Sequence, residues 1–404
     1  MPPIALFLLQ AAIIIGLPYA LWRVGGLRHW VPLVVVQILI GLALGPTGLG
    51  QAAPDLWRML FPPKALGALD GLVWMGVTYF AFATGLHFDL TEFKGRGRAF
   101  AVTSVATFVI PTLVGTAIGF VLLALVPQAA GPGAPGWVFA VGVGIAVGVT
   151  ALPVLAAILR EMHILQTRVG AGALGCAAVN DAALWIMVAV LLAVGQGGEP
   201  WQAGVLVAGT LFDGLVLWFA IRPLLARLFR HAELHGRVNE RDVVVLSLGL
   251  FASAFVSEII GLHAVVGAFA FGAVVPKAVA RDVLAKFESF LMVVLLPFFF
   301  IATGLKTHFS AVSGAGLVFA LTTPASVLSK LLSAALPARA QGWSWGDSLA
   351  LGSLVGCKGL MELVVLTLLL DKGILSGVGF SGMVLMALAT TALARPLAGL
   401  FLKR

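Results

Sequence analysis

Long apolar runs recur from one end of the chain to the other, and they constrain its fold more than any other feature. Only 10% of the 404 residues are charged and 60% are hydrophobic, whereas a soluble globular domain carries about 25% charged residues. These charges are too few to cover a water-exposed surface. Because backbone polar groups must be satisfied internally in a bilayer, apolar runs of about 20 residues predict membrane-spanning helices. The sequence therefore predicts an all-α polytopic membrane protein.

The runs are separated by charged or Gly/Pro-rich stretches and indicate about 13 transmembrane helices. We predict spans at residues 4–22, 31–49, 66–87, 99–126, 137–159, 168–195, 202–226, 242–260, 262–276, 284–305, 311–336, 347–370 and 375–400. The stretches between them are short, so we expect a single membrane domain over residues 1–404 and no soluble regulatory domain. Cys176 and Cys357 both lie within apolar runs, which predicts neither a disulfide framework nor a metal site.

Positive charges are distributed unevenly between the two sides of this arrangement. With the N-terminus outside, the inner segments hold 18 Lys and Arg residues, the outer segments hold 4, and 3 within spans complete the 25. Cytoplasmic loops of membrane proteins carry such an excess. The bias predicts a multi-pass protein of the cell inner membrane with a cytoplasmic C-terminus. The net charge of +8 is thereby explained without nucleic acid.

Two short motifs occur twice, each time seven spans apart. Phe82-Ala-Thr-Gly-Leu86 ends the third span and Ile301-Ala-Thr-Gly-Leu305 ends the tenth, while Gly41–Gly45 of the second resembles Gly267–Gly272 of the ninth. An odd offset gives the two copies opposite orientations in the membrane. Inverted-topology repeats are typical of secondary transporters.

Asp181 is the clearest ionisable residue at membrane depth, near the middle of the sixth span. Ionisable residues are costly there and are usually functional. Burial disfavours the charged carboxylate, which suits a site that binds a proton and a cation in turn. Asn180 beside it offers a carbonyl oxygen suited to a hard cation, although an amide that only packs helices is an open alternative.

Two spans carry signals of an interrupted helix. Pro153 follows Thr150 in the fifth span, where a missing backbone donor disrupts the helix and frees carbonyl groups. Gly356 and Gly359 interrupt the twelfth span, again seven spans later. Breaks at equivalent places in two repeats are typical of a transporter's binding site.

Further charges lie within spans. Lys358 and Glu362 are spaced i, i+4 and can pair on one helix face, in a structural or a functional role. Lys330 of the eleventh span is expected to partner Asp181, with a side chain reaching to the membrane interface as the alternative. No role is assigned from the sequence to three acidic residues in or near spans: Asp70, Asp213 and Glu258.

Four segments together resemble the monovalent cation:proton antiporter-2 family along almost the whole chain. Gly41–Gly50 is similar to its glycine-rich second helix. Thr150-Ala-Leu-Pro-Val-Leu155 is similar to its broken helix. Val179-Asn-Asp-Ala-Ala-Leu-Trp185 resembles the Asn-Asp form of its ion site in plant and fungal exchangers. Lys358-Gly-Leu-Met-Glu-Leu363 resembles a segment in which those exchangers carry Arg in place of Lys358.

The resemblance implies a dimerisation domain and a core domain with two crossed, interrupted helices. It also implies a homodimer, with Asp181 as the shared carboxylate for proton and cation, Asn180 and Thr150 near it, and Lys330 as a core lysine. The Asn-Asp pair, in place of the Asp-Asp pair of electrogenic sodium exchangers, favours electroneutral exchange. Lys358 stands where those exchangers carry Arg, and this change is expected to alter what the side chain holds in place.

These features predict a secondary antiporter that exchanges K⁺ or Na⁺ for protons by alternating access. The sequence contains no phosphate loop, nucleophile elbow or paired catalytic carboxylates, so we expect neither an enzyme nor a bound cofactor. An organic-anion or other solute transporter on a related inverted-repeat fold is one alternative. A cation channel is another, although no filter-like carbonyl motif is present.

Overall fold

The structure is a computed structural model, and it describes residues 2–26, 33–46, 48–87, 97–132, 134–195, 208–209, 211–230, 238–260, 263–306 and 312–402. These residues are almost entirely helical, with a single isolated bridge between Ala130 and Leu375. The first residues of four predicted spans (31–49, 202–226, 262–276 and 311–336) lie outside the described residues. The all-α fold class is confirmed.

The helices follow the predicted apolar runs. Those of the first half are α1 (Pro3–Val24), α2 (Leu33–Leu44), α3 (Leu49–Ala52), α4 (Pro54–Leu60), α5 (Pro63–His87), α6 (Gly97–Leu125), α7 (Gly136–Gly148), α8 (Leu152–Glu161) and α9 (Arg168–Gly195). Those of the second half are α10 (Arg222–Leu228), α11 (Glu240–Ile260), α12 (Ala264–Val274), α13 (Lys277–Phe290), α14 (Leu296–Lys306), α15 (Val312–Ala340), α16 (Trp345–Val355), α17 (Leu360–Asp371) and α18 (Gly377–Leu402).

Within the described residues, nine helical segments are long and apolar enough to cross a membrane. The predicted spans 137–159 and 347–370 are not among them, because each is divided into two helices. α7 has 13 residues and α16 has 11, which at 1.5 Å per residue is less than the roughly 30 Å hydrocarbon core. Each therefore reaches only part of the way across.

Two π-helical segments, Leu217–Ile221 and Leu291–Leu295, interrupt long helices. In both, a proline follows two residues after the last π residue: Pro223 and Pro297. Proline has no N–H for the carbonyl four residues earlier, so the preceding turn widens and the backbone adjusts without breaking. Such local adjustments are how membrane helices accommodate proline.

The chain forms two compact units. Unit one consists of Met1–Leu17, Arg58–Thr91 and Leu192–Ala302, and unit two consists of Pro18–Trp57, Glu92–Leu191 and Thr303–Arg404. In unit one, α12 packs against α5 and α11. In unit two, α15 packs against α6, α16 and α18. Each unit thus combines segments from both halves of the sequence.

The repeated glycine motifs pack in the same way in the two units. A Cβ on Gly85 (α5) would lie 2.9 Å from Gly272 Cα (α12), and a Cβ on Gly304 (α14) would lie 2.6 Å from Gly41 Cα (α2). Only glycine permits such backbone contact between helices. Each contact joins a first-half helix to a second-half helix, and exchanging the repeats converts the helix pair α5 and α12 into the pair α14 and α2. This correspondence is what an inverted repeat requires.

Candidate cation site at two helix breaks

The breaks in the two interrupted helices lie against each other in unit two. Residues 149–151 separate α7 from α8, and residues 356–359 separate α16 from α17. Ala151 N donates to Cys357 O at 3.1 Å, and Thr150 Oγ1 donates to Val355 O at 2.7 Å. The non-helical backbone of each break is thus satisfied by the other. The resemblance implied two crossed, interrupted helices, and the structure contains them.

The break-forming residues occupy different positions within these segments. Pro153 is the second residue of α8, where a helix does not need the missing N–H. Gly356 ends α16 and Gly359 precedes α17, so they bracket the second break. A Cβ on Gly359 would lie 2.6 Å from Val154 Cγ2. Glycine at 359 therefore allows the two breaks to approach this closely.

Lys358 lies within the second break, but its side chain donates hydrogen bonds to the end of the first interrupted helix. Its buried Nζ donates to Ala146 O at 2.6 Å, to Val147 O at 2.9 Å and to Val149 O at 3.3 Å. These carbonyls end α7, where unpaired carbonyls and the helix dipole concentrate negative charge. The ammonium group thus stabilises the C-terminal end of α7.

Glu362 completes this cluster from the first turn of α17. One carboxylate oxygen lies 3.5 Å from Lys358 Nζ, and both side chains are fully buried. The position near a helix N-terminus favours a negative charge. Neither carboxylate oxygen has a hydrogen-bond partner in the described part of the chain. The contact is an ion pair without a hydrogen bond, since the Lys358 donors are directed to the α7 carbonyls.

Lys330 of α15 does not form the expected ion pair with Asp181. Its fully buried Nζ donates to Thr107 O at 2.8 Å, to Thr150 Oγ1 at 2.7 Å, and to Gly148 O. No ion pair within 4 Å joins Lys330 to Asp181 in the structure as described, although the two interact electrostatically. The prediction that they pair directly is wrong for this conformation, because neutral oxygens occupy all three ammonium donors.

Asp181 and Asn180 lie midway along α9. Asp181 is only 4% exposed, and its Oδ1 has no hydrogen-bond partner among the described residues. One atom of the Asn180 amide lies 2.9 Å from Thr150 Oγ1 in either orientation of the amide. With its oxygen toward Thr150, that oxygen also lies 3.3 Å from Lys330 Nζ. The structure therefore joins Asn180, Thr150 and Lys330 in one polar cluster beside an unpaired carboxylate oxygen.

Sequence reasoning missed two residues of this region. The Thr107 carbonyl accepts from Lys330, and the Thr107 hydroxyl donates to Ser104 O at 2.7 Å. Thr391 donates to Lys358 O at 2.6 Å in the second break. The available signal was a group of hydroxyls at 103, 104 and 107 within an apolar span. Of the unassigned acids, Glu258 accepts from Ala264 N at the start of α12, and Asp70 is exposed on α5.

Comparison with known proteins now bears on what this site does. The family model described as "Sodium/hydrogen exchanger, transmembrane" matches residues 11–403. The chain belongs to this family. Membership confirms the resemblance found in the motifs and the expectation of a multi-pass membrane protein.

Individual exchangers similar to the chain come from several kingdoms. "Cation/H(+) antiporter 19" of Arabidopsis thaliana is 35% identical over 92% of this chain and 46% of its own length. "K(+)/H(+) antiporter 1" of Saccharomyces cerevisiae is 30% identical over 98% of this chain and 46% of its own length. The chain thus spans about half the length of these relatives. "Na(+)/H(+) antiporter NhaS4" of Synechocystis is 29% identical, with 97% of this chain and 96% of the relative covered.

A solved structure shows the same fold at low identity. The sodium proton antiporter MjNhaP1 from Methanocaldococcus jannaschii superimposes with a TM-score of 0.65 and 14% identity, covering 99% of both chains. The exchanger fold expected from the resemblance is therefore confirmed.

Proposed function

We propose that the chain is a secondary antiporter that exchanges a monovalent cation, K⁺ or Na⁺, for protons by alternating access. The observation that carries the proposal is the buried Asp181 carboxylate, whose Oδ1 has no hydrogen-bond partner among the described residues, beside the crossing of two helix breaks. A buried, unpaired carboxylate is costly in a membrane. Binding either a proton or a cation removes that cost, so the two ions compete for Asp181. The relatives named as K(+)/H(+) and Na(+)/H(+) antiporters support this proposal.

Neutral oxygens near Asp181 suit the dehydration of a monovalent cation. The Asn180 amide and the Thr150 hydroxyl are 2.9 Å apart in unit two. Carbonyl and hydroxyl oxygens replace the water ligands of such ions in other membrane proteins. We assign Asn180 and Thr150 to the ion site, with Lys330, Lys358 and Glu362 as charges that hold the two breaks.

A single accessible carboxylate favours electroneutral exchange. Asp181 with a proton and Asp181 with a monovalent cation carry the same net charge. The site therefore has the same charge in both directions of transport, and one cation is exchanged for one proton. Asn180, in place of a second carboxylate, keeps this balance.

The buried lysines argue against the alternative of an organic-anion carrier. All three donors of Lys330 are used by protein oxygens, and those of Lys358 are directed to three carbonyls. An anion at either lysine would have to displace hydrogen bonds that stabilise the breaks. The described site therefore offers an unpaired acceptor for a cation and no free ammonium donor for an anion.

The test is exchange by the purified chain in liposomes that contain a pH-sensitive dye. K⁺, Na⁺ and Li⁺ are added in turn, with and without an imposed membrane potential. We expect a saturable pH change with at least one cation and a rate independent of the potential. Cation-independent proton flux, or uptake of an organic anion without proton movement, would overturn the proposal.

We also propose an inner-membrane homodimer with the N-terminus outside and the C-terminus in the cytoplasm. The charge bias of the loops and the family resemblance support this arrangement. A reporter fused after Arg404 should be active only in its cytoplasm-sensing form, and native mass spectrometry should give twice the 42.0 kDa chain mass. Activity of the periplasm-sensing form of the reporter would contradict the proposed topology, and a monomeric mass would contradict the proposed dimer.

A further inference from the structure

A half-open cavity of about 280 Å³ in unit one is lined in part by Asp213. Its wall is almost wholly apolar and includes Leu217, Ile221, Val256 and Phe271. Asp213 is the only ionisable residue among the described residues of the lining. It forms no hydrogen bond or ion pair with another described residue. The Asp213 side chain thus lines an apolar cavity and has no hydrogen-bond or ion-pair partner among the described residues.

The local backbone at this cavity is also unusual. Leu217 and Ile221 belong to the π-helical segment before Pro223, and both line the cavity. π-helical turns occur frequently at functional sites because they change the direction of the side chains that follow. An acidic residue within a membrane span is itself a functional-site indicator. These two independent features meet at the same cavity.

The second polar group in the lining restricts the ligand further. Ser253 Oγ donates to Gly267 O at 2.9 Å, so its proton is used and only its acceptor lone pairs remain. Carboxylate and hydroxyl both call for a donor on the ligand. Among the described lining residues an anion would find no free donor side chain, and a neutral hydrocarbon would leave Asp213 unpaired.

We propose that this cavity binds a small amphipathic ammonium ion. The ammonium group lies against Asp213, and the apolar body fills the space among the aliphatic and aromatic side chains. The Phe271 ring adds a face that attracts cations. The volume lies just below the usual range of small-molecule sites, about 300–1,000 Å³, so the ligand is a compact monoamine. The described lining shares no residue with the cation site, and binding here does not require transport.

The experiment compares benzylammonium with its neutral analogue benzyl alcohol and its anionic analogue benzoate. Binding to the full chain in detergent is measured by calorimetry or ligand-observed NMR at pH 7. We expect benzylammonium to bind at least tenfold more tightly than benzyl alcohol, and benzoate not to bind. Asp213→Asn should weaken benzylammonium binding at least tenfold without changing benzyl alcohol binding. Asp213→Glu should retain binding to within a few-fold.

Matched variants separate this site from others. Asp70→Asn removes an exposed carboxylate of unit one, and Asp181→Asn removes the cation-site carboxylate; both should leave benzylammonium binding unchanged. Ala252→Trp should fill the cavity and abolish binding of both aromatic ligands. Unchanged binding by folded Asp213→Asn, or loss of binding in Asp181→Asn instead, would overturn the proposal. Displacement of benzylammonium in phosphatidylethanolamine nanodiscs, but not in phosphatidylcholine nanodiscs, would assign the cavity to a lipid amine and overturn the free-amine assignment.

Discussion

The two helix breaks are related by the repeat but differ in charge. At the first break, the C-terminal end of α7 receives two ammonium groups, Lys330 at Gly148 O and Lys358 at three neighbouring carbonyls. At the second break, the carbonyls receive uncharged donors from Thr150, Ala151 and Thr391. The backbone is thus interrupted twice in the same way, while the positive charge is collected at one end only.

This difference explains how a single carboxylate can control ion binding. An uncompensated C-terminal helix end carries about half a negative charge and would itself attract cations. The two lysines compensate that end of α7, and Glu362 is paired with Lys358. Asp181 is then the acid of this cluster with no direct ion pair in the described structure. Under the proposed function, a cation and a proton therefore compete for one group rather than distributing over several.

The strongest test of the comparison is Asp181→Asn. The substitution keeps the shape of the side chain but removes its titratable proton and its charge, so cation-driven proton movement should fall to the background of empty liposomes. Elution volume and thermal stability should stay near wild type. Asp70→Asn, at an exposed position of α5, is the matched control and should exchange normally. Saturable exchange by folded Asp181→Asn would move attention to Glu362.

Lys358→Met should give the largest loss of stability. It leaves the Glu362 carboxylate and the α7 carbonyls without their cation, and breaking a buried ion pair costs about 3–5 kcal/mol. Thermal unfolding in detergent measures the loss. Lys358→Arg should retain most of the stability, and Lys358→Met with Glu362→Gln should recover part of it. A wild-type melting temperature for Lys358→Met would show that the pair contributes nothing.

Lys330→Met should have a smaller effect, and a double-variant cycle can show its origin. Lys330→Met removes three hydrogen bonds from an ammonium group, as Lys358→Met does, but it breaks no ion pair within 4 Å in the described structure, and the displaced Thr150 should slow exchange. If Lys330 acts mainly on the carbonyls, adding Asp181→Asn to Lys330→Met should recover less stability than adding Glu362→Gln to Lys358→Met. An equally large recovery of stability in the Lys330→Met, Asp181→Asn double variant would instead support the direct Lys330–Asp181 pair that the sequence predicted.

The smallest effects should come from removing one hydroxyl at each break. Thr150→Val removes a group that joins Lys330, Asn180 and Val355, whereas Thr391→Val removes a hydrogen bond to Lys358 O. A neutral hydrogen bond contributes about 0.5–1.5 kcal/mol. We expect Thr150→Val to raise the KM for the cation and Thr391→Val to change only the melting temperature slightly. Equal KM values would remove Thr150 from the ion site.

Residue types alone predicted the fold and much of the site because membranes restrict the choices. The apolar runs, the position of Asp181 within such a run and the repeated glycines can all be read directly from the sequence, and they predict the spans, a candidate ion site and an inverted repeat. The partners of Lys330 and Lys358 could not be predicted, since they are backbone carbonyls and every residue has one. No role could be assigned to Asp213 from the sequence for a different reason. A cavity is formed by side chains from separate helices, and no local sequence pattern predicts it.

The paired glycine contacts have a consequence for biosynthesis. Gly85 packs on Gly272, which the ribosome adds 187 residues later, and Gly41 waits for Gly304 in the same manner. At synthesis rates of about 5–20 residues per second, these early helices stay in the bilayer for roughly ten to fifty seconds before their partners are made. During that interval their glycine faces are exposed to lipid and to other nascent helices. These two glycine contacts are therefore late events that form only when the second repeat has been inserted.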